Sequence, residues 1–291
     1  MHTWTWNTVG DRAYLTCSLL EQWSHGFFSK TWWPTPPLEI TPTLATDAKT
    51  YRVKQVHGKA ILTPTMVVAY QQGDDTLLTS SAPFPGAWDI TEERPEWPPA
   101  DGLISDGPHQ AVWVASADCT PALIGDTATG RVAAVHAGWR GTALQIVPEA
   151  VRQFLAQGSQ LTDLRVALGP AIAGTVYQVS TTVAAEVGQT VLAHTPPKEK
   201  WTEADVTDIL RQLQSLPHPP ILDDDQAERA RLDVRRVNQL QLERLGMTAE
   251  QVAIAPHCTF QQPDQFFSYR RTREKQVQWS GIVSPSSILS P

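Results

Sequence analysis

The amino-acid sequence predicts an α/β protein, in the broad sense that includes α+β folds, because short apolar runs alternate with stretches of helical periodicity. Two apolar runs, 111–117 and 131–136, end at turn-forming residues and predict buried strands. From 142 to 156, apolar side chains recur at helical spacing, and Pro148 either starts the regular helix or kinks it. With 291 residues, the chain is long enough to bury a large core.

Turn residues in 125–130 predict a hairpin-like connection from 122–124 into the run 131–136. This connection folds the chain back on itself, so we expect Cys119 and His136 to lie close together. Further apolar segments predict strands at 164–168, 252–255 and 277–283, and helical spacing predicts helices at 179–191 and 225–245.

Two segments lack the periodicity of core elements. Residues 71–99 combine acidic residues, prolines and tryptophans, and residues 194–225 mix prolines with charged residues. We expect both to be surface insertions in a single domain that spans residues 1–291.

The composition excludes several classes of protein. The net charge is −7 and no run of Lys or Arg forms a basic stripe, which argues against nucleic acid as a partner. No stretch approaches the roughly 18 apolar residues of a membrane span. The three cysteines, Cys17, Cys119 and Cys258, do not form a disulfide pattern, and residues 1–6 lack the features of a signal peptide. We therefore expect a cytoplasmic protein without a membrane partner.

Three isolated side chains have the chemistry of a metal site. His57, Cys119 and His136 supply two imidazoles and a thiolate, a set that leaves a fourth zinc position open for water or substrate. Their separations, 62 and 17 residues, are unlike those of a zinc finger. Because a single His is more often a hydrogen-bonded structural residue, spacing alone leaves both interpretations open.

Six motifs in one order carry a resemblance to a known family. They are Gln55-Val56-His57-Gly58, Ala100-Asp101-Gly102-Leu103-Ile104, Ala117-Asp118-Cys119-Thr120-Pro121, His136-Ala137-Gly138-Trp139-Arg140-Gly141-Thr142-Ala143, Leu168-Gly169-Pro170-Ala171-Ile172 and Phe266-Phe267-Ser268-Tyr269-Arg270-Arg271. From about His25 to Ile282, the chain resembles the YfiH-like family, whose members are also called laccase-domain proteins, multicopper polyphenol oxidases and peptidoglycan editing factors.

The resemblance implies a layered single-domain fold with mixed β-sheets flanked by helices, similar to a bacterial toxin deamidase domain. It implies a zinc site at His57, Cys119 and His136, with copper as a possible substitute. The implied activities are phosphorolysis of adenosine, inosine and methylthioadenosine to free base and ribose 1-phosphate, and deamination of adenosine. The partners are then a purine nucleoside and phosphate, and we expect a monomer or weak homodimer.

Deamination also needs a proton shuttle, and phosphorolysis needs an anion site. Asp118 is the acid nearest to Cys119 in sequence and is either that shuttle or a structural residue. Arg140, with the backbone amides of 138–141, is either an anion cradle or part of a structural ion pair. Trp139 either stacks on the purine base or packs in the core.

Other candidate substrate contacts lie near the ends of the match. Arg270 and Arg271 either close the site or pin the C-terminal strand. Lys30 stands where the family usually has Arg, so an anion contact there loses the two-pronged guanidinium geometry.

The chain departs from the family pattern in three places, the first of which is Lys30 together with the segment that follows it. The segment 31–51 replaces a family stretch that contains Asn-Leu-Gly and Glu-Asn-Arg. An acidic, Trp-containing insertion precedes Ala100, where it either covers the pocket or serves a partner. Residues 273–275 read Arg-Glu-Lys where the family tends to have Gly-Arg.

Three alternatives stay open. A multicopper oxidase needs about ten His, usually with His-x-His pairs, whereas this chain has eight His and no such pair. A metal-free hydrolase or deamidase would use Cys119 as the nucleophile, paired with His136. A zinc-stabilised interaction module would use the Trp-rich insertion for docking.

Overall fold

The computed structural model describes residues 2–74, 76, 95–193 and 201–287. Its strands, in chain order, are β1 (Trp4–Val9), β2 (Arg12–Cys17), β3 (His25–Phe28), β4 (Lys49–Tyr51), β5 (Ile61–Leu62), β6 (Gly102–Ile104), β7 (Gln110–Ser116), β8 (Thr120–Asp126), β9 (Val132–Ala137), β10 (Leu164–Leu168), β11 (Gln178–Ser180), β12 (Ile221–Asp223), β13 (Arg229–Leu232), β14 (Val252–Ile254) and β15 (Gln278–Val283). The described α-helices are α1 (Pro37–Leu44), α2 (Pro64–Gln71), α3 (Trp139–Ala143), α4 (Ile146–Ala156), α5 (Thr181–Gly188), α6 (Glu203–Gln214), α7 (Val234–Arg244) and α8 (Tyr269–Thr272).

Two six-stranded mixed sheets dominate the structure. The first has the order β1-β2-β3-β15-β7-β4, with only β4 parallel to its neighbour. The second has the order β14-β10-β8-β9-β6-β5, with parallel pairs at its two edges. This arrangement confirms the predicted fold of mixed sheets flanked by helices.

The two sheets pack face to face and are covered on both outer sides. Val112 of the first sheet and Leu123 of the second belong to one buried apolar cluster between them. Helix α4 buries Phe154 against the outer face of the second sheet, and α1 packs Ile40 near Trp113 of the first. The result is a layered structure, and the apolar core between the two sheets excludes water from the strands on either side of it.

The predicted hairpin is present as β8 and β9. These antiparallel strands pair Thr120 with Ala137 and Pro121 with His136. Cys119 immediately precedes β8, so the pairing places it beside the end of β9, as expected from the turn-rich segment between them.

A third sheet corrects one prediction. Residues 194–225 were expected to be a surface insertion, but the described part, from 201 onward, contains α6 and β12. Ile209, Leu213 and Ile221 from these elements are buried in the core of the three-stranded sheet β11-β13-β12. The charged outer face of α6 obscures its apolar side in the sequence. Residues 194–200 lie outside the described part.

Two predicted helices are shorter than expected. In place of one helix over 225–245, strand β13 occupies the first half and α7 begins after Asp233, whose carboxylate accepts a hydrogen bond from the Arg236 N–H. Similarly, β11 takes the start of the helix predicted at 179–191. Strands of three or four residues are too short for periodicity to separate them from an adjoining helix.

The helix predicted over 142–156 begins earlier and is interrupted. It forms α3 and α4, with Gln145 between them in a left-handed conformation (φ 58°). Pro148 lies in the first turn of α4, where its missing N–H costs no helical hydrogen bond.

Most of the other expected insertion, 71–99, lies outside the described residues. Of its tryptophans, Trp97 is described and packs against the core between the sheets. None of the described helices has the length and apolar composition needed to cross a bilayer.

The intersheet core yields a stability prediction. Leu123→Ala removes a fully buried side chain from β8, and we expect a loss of about 2 to 5 kcal/mol in the free energy of unfolding. Leu38→Ala removes the same atoms from a side chain that is 72% exposed and should cost less than about 0.5 kcal/mol. Denaturant titration of both variants checks the difference; equal losses would contradict the assigned core.

Candidate metal centre and active site

Three loops and strand ends bring the predicted ligands together. His57 lies in the loop between β4 and β5, Cys119 in the loop between β7 and β8, and His136 near the end of β9. Their ligand atoms all lie within 4.8 Å of one another. His57 is exposed, Cys119 is half-buried and His136 is buried, so the group has one side open to solvent.

The loop that carries His57 is held by two side chains. Gln55 pairs its amide with the backbone of Ala115 in β7, through bonds of 2.7 and 2.8 Å. The carboxylate of Asp101 accepts the backbone N–H groups of Val56, His57 and Gly58 at 3.2, 2.9 and 2.6 Å. These bonds fix His57 in a left-handed conformation (φ 60°) that a non-glycine residue rarely adopts.

Asp101 also orients the second imidazole. Its Oδ1 atom accepts a hydrogen bond of 2.9 Å from Nδ1 of His136. An ionised carboxylate can only accept, so Nδ1 carries the proton and Nε2 is left for a metal. Burial alone raises the pKa of Asp101, but the bonds from His136, Gly58 and Val56 lower it overall, which keeps the carboxylate ionised.

Asp101 joins the candidate site through its hydrogen bonds, a role that was not predicted from the sequence. It lies within one of the six motifs, directly before β6, and its side chain is fully buried. One feature of the sequence could have indicated this role: Asp101 is an acidic residue among small and apolar neighbours. A carboxylate in such a position is buried only if several hydrogen-bond donors surround it.

The electrostatics of the cluster favour the ligand form of Cys119. Burial raises the pKa of this thiol, but the neighbouring imidazoles of His136 and His57 outweigh it and lower the pKa below its ordinary value. Burial lowers the pKa of His136, whereas Cys119 and Asp101 raise it, and the net direction is upward. Both shifts favour a thiolate beside an imidazolium when no metal is bound, and the thiolate is the form that binds metal.

Gly138 provides the space that Cys119 needs. A Cβ atom at this position would lie 2.8 Å from Sγ of Cys119 and 3.3 Å from Cδ2 of His57. Its φ of −70° is accessible to any residue, so glycine is required here for space and not for backbone conformation.

The open side of the cluster faces a cavity of about 600 Å³. His57, Cys119 and His136 form part of its wall. The rest of the wall includes aromatic and charged side chains, among them Trp33, Tyr269, Trp279, Arg52, Lys54, Glu274 and Lys275. Trp33 and Tyr269 are 39% and 47% exposed, so their rings remain accessible from the cavity side.

The contacts of Asp118 favour its structural alternative. Its carboxylate accepts bonds from the Thr259 and Ser268 hydroxyls at 2.7 and 3.0 Å and from the Arg270 N–H at 2.7 Å. Both oxygens are thus used to tie the Cys119 loop to the C-terminal segment, which leaves little capacity for proton transfer.

The two consecutive arginines have different environments. Arg271 donates to the carbonyls of Thr259, Phe260 and Phe266, so it pins the C-terminal segment. Arg270 donates to the Gln178 carbonyl and stacks 4.7 Å from the centre of the Tyr177 ring.

Arg140 and Trp139 stack on each other. The guanidinium of Arg140 lies 4.3 Å from the centre of the Trp139 ring, and among the described residues no carboxylate pairs with it. Trp139 packs against the core of the third sheet, which favours its packing alternative. Burial and the negative charge of Cys119 raise the pKa of Tyr177 to about 12, while the positive charges of Arg270 and Arg140 oppose the shift.

The predicted substrate contacts do not form the cavity wall. Lys30 donates its Nζ proton to the Pro263 carbonyl at 2.6 Å, and neither Lys30, Trp139 nor Arg270 lines the cavity. The aromatic wall comes instead from Trp33, Tyr269 and Trp279, which were not predicted as substrate contacts from the sequence. The order of the strands in the sheets decides which strand ends face the same cavity. The spacing of motifs along the sequence does not reveal that order.

The donor set of the cluster fits zinc. Two imidazoles and one thiolate are borderline and soft ligands of the kind zinc prefers, and three protein ligands leave a fourth tetrahedral position open. The hydrogen bond from His136 to Asp101 is the supporting contact typical of zinc-binding histidines.

The Asp101 contacts predict a loss of metal affinity on substitution. In Asp101→Asn, one carboxylate oxygen becomes an amide donor facing backbone N–H groups, so the His57 loop and the His136 ring lose their anchor. We expect zinc affinity to fall about 10- to 100-fold, as measured by competition with a chelator.

A matched control is Asp126→Asn. Asp126 is also buried and also accepts backbone N–H groups, those of Ala128 and Thr129, but it lies outside the metal cluster. It should retain the zinc affinity of the parent protein. Equal affinity in Asp101→Asn and the parent would overturn the role of Asp101.

The lowered pKa of Cys119 predicts selective alkylation of the metal-free protein. At pH 7, Cys119 should react with iodoacetamide, whereas Cys17, whose pKa burial raises to about 11, should not. The Cys119 rate should fall as the pH drops through its lowered pKa, because the thiolate is protonated. Zinc should block the reaction; peptide mapping that shows equal labelling with and without zinc would contradict the ligand assignment.

The sequence of this chain is similar to those of two named enzymes. The chain is 52% identical over 281 residues to a purine nucleoside phosphorylase of Synechocystis sp., a match that covers 97% of each chain. It is 28% identical over 185 residues to a protein named adenosine deaminase RL5 from an unknown prokaryotic organism, covering 64% of this chain and 62% of that protein.

Solved structures show the same fold. The crystal structure of YlmD from Geobacillus stearothermophilus superposes with a TM-score of 0.71 at 22% identity, covering 96% of this chain and 98% of that chain. The YfiH protein of Bacillus licheniformis superposes with a TM-score of 0.65 at 22% identity, covering 94% and 96% of the two chains.

A family model described as multi-copper polyphenol oxidoreductase laccase matches residues 39–283. Among the described residues, one cluster of three or more His, Cys, Asp or Glu side chains has metal-binding geometry, the group at His57, Cys119 and His136. This family match and the near full-length relative show that the chain belongs to the YfiH-like, or laccase-domain, family.

Proposed function

We propose that the protein is a zinc-dependent enzyme that phosphorolyses adenosine, inosine and methylthioadenosine and also deaminates adenosine. The observation that carries the proposal is the three-ligand cluster of His57, Cys119 and His136, which opens onto a cavity of about 600 Å³. The near full-length relative named purine nucleoside phosphorylase supports the class of reaction.

The cavity suits a nucleoside in size and character. Its volume falls within the range of about 300 to 1,000 Å³ that is usual for small-molecule sites. Trp33 and Tyr269 line it with accessible rings that can pack against a purine, and polar side chains such as Lys54 and Glu274 are present for orientation. We place the purine nucleoside in this cavity, with its reactive atoms towards the metal ligands.

The two reactions require different bond changes. In phosphorolysis, a phosphate oxygen bonds to C1′ of the ribose while the bond from C1′ to the base breaks, and the base leaves with the electron pair and takes up a proton. In deamination, water adds at C6 of the purine and ammonia leaves. Bound zinc would supply a Lewis acid and an acidified water molecule.

The residues of this chain have defined parts in that scheme. His57, Cys119 and His136 would hold the metal, and Asp101 keeps the His136 ring in the required orientation. The left-handed loop at His57 keeps that imidazole at the cavity wall. The Asp118 carboxylate maintains the Cys119 loop and is not assigned as the proton shuttle.

A metal-free hydrolase or deamidase is the second candidate, and one observation favours it. The raised pKa of His136 and the lowered pKa of Cys119 are the directions seen in a nucleophilic thiolate–imidazolium pair. Copper oxidase chemistry remains a third candidate, because two His and one Cys are also copper ligands. Metal analysis and product analysis separate these candidates.

The deciding experiment is incubation of the purified protein with adenosine, with and without phosphate, followed by separation of adenine, inosine and hypoxanthine. Adenine that forms only with phosphate demonstrates phosphorolysis, and inosine that forms without phosphate demonstrates deamination. Inosine and methylthioadenosine are then tested in the same way. No product from any purine nucleoside would refute the proposal.

Variants assign the activity to the cluster. Cys119→Ala should reduce turnover at least about 100-fold, because one of three metal ligands is lost. Cys258→Ala is the control, since Cys258 is a buried cysteine outside the cluster, and it should retain activity. Full turnover by a folded Cys119→Ala variant would contradict the site. A folded variant that no longer turns over adenosine would remove most of the support for the interaction-module alternative.

A further inference from the structure

The side chain of Arg52 has an unusual position on the cavity wall. Its guanidinium carbon lies 4.9 Å from the centre of the Trp279 ring and 5.6 Å from that of Trp97. The side chain is half-buried and lines the same cavity as His57 and Cys119. The tryptophans restrict its motion and leave the N–H groups at its edge as the interacting surface.

Arg52 makes none of the polar contacts expected of a buried structural arginine. Its Nε atom is buried without a hydrogen-bond partner. Among the described residues no carboxylate lies within ion-pair distance of it, although the negative charge of Glu96 is near enough to oppose the lowering of the Arg52 pKa by burial. Arg235, whose Nε atom is also buried without a partner, still donates Nη1 protons to the Ala255 and His257 carbonyls, and Arg231 pairs with Asp224. The half-buried guanidinium of Arg52 has no such acceptor in the part of the protein that the structure describes and is free to donate to a ligand that supplies one.

Other cations are less suited to bind an anion within the cavity. Arg140 is exposed and does not line it, and Lys30 is bound to the Pro263 carbonyl. Lys54 and Lys275 line the cavity but are exposed, so water competes for their ammonium groups. Arg52 alone among these five combines a cavity position with partial burial and free donors.

We propose that Arg52 is the residue that binds the phosphate co-substrate, an inference that rests on the phosphorolysis proposed above. A phosphate oxyanion accepts two parallel N–H bonds from one guanidinium, and partial burial strengthens these charge-assisted bonds. Because Trp97 and Trp279 already hold the guanidinium, little side-chain entropy is lost when phosphate binds.

The test is a titration of the zinc-loaded, full-length protein with inorganic phosphate, followed by tryptophan fluorescence, since two tryptophans contact Arg52. Arg52→Gln should weaken phosphate binding at least about tenfold through loss of the charged donor pair. Arg52→Lys keeps the charge without the fork and should give an intermediate affinity.

Arg12→Gln is a matched control. Arg12 also stacks on a tryptophan, 5.3 Å from the centre of the Trp32 ring, but it does not line the cavity. It should bind phosphate within about twofold of the parent protein. In steady-state assays, Arg52→Gln should raise the KM for phosphate at least about tenfold and change the KM for adenosine less than about twofold.

The outcomes distinguish this inference from the proposed function. If Arg52→Gln binds inorganic phosphate with the affinity of the parent protein, the inference is overturned. If the parent protein binds phosphate through Arg52 but turns over no purine nucleoside, the proposed function fails and the anion site stands.

Discussion

The carboxylate of Asp101 is the interaction on which the site depends. It is fully buried, and it joins the backbone of the His57 loop to the ring of His136 through four hydrogen bonds. An unpaired buried carboxylate would be protonated or expelled, whereas four donors stabilise its charge. One side chain therefore sets both the left-handed conformation at His57 and the tautomer of His136. The third ligand, Cys119, is placed separately, by the β8–β9 pairing and the space at Gly138.

The layered fold explains why a reactive centre can be both rigid and accessible. The strands that carry or flank the ligands lie in two packed sheets with water-free faces, while the ligands themselves occur where strands end. Loops supply chemistry that a rigid scaffold positions. Asp118 performs the corresponding task on the other side of Cys119, since its hydrogen bonds connect that loop to Ser268 and Arg270 in the C-terminal segment. The candidate metal centre thus lies where distant parts of the chain converge.

The sequence was sufficient for the central hairpin and for the proximity of His57, Cys119 and His136, because each depends on local apolar runs or on motifs in a fixed order. It was insufficient for residues whose role is tertiary. Asp101 acts on residues 35 to 45 positions away, and Arg52 gains its environment from Trp97 and Trp279. The long helix predicted at 225–245 was wrong because a four-residue strand, β13, carries too little pattern to be recognised beside a helix. Cavity-wall residues were missed for the same reason: sheet order, not spacing, brings them together.

The central claim is that His57, Cys119 and His136 bind zinc and leave one position open. X-ray absorption at the zinc edge, measured on the purified protein, tests it most directly. The account predicts about one zinc per chain, one sulfur neighbour at about 2.3 Å and nitrogen neighbours at about 2.0 to 2.1 Å, with the sulfur lost in Cys119→Ala. A protein that contains no zinc, or zinc without a sulfur neighbour, would contradict it.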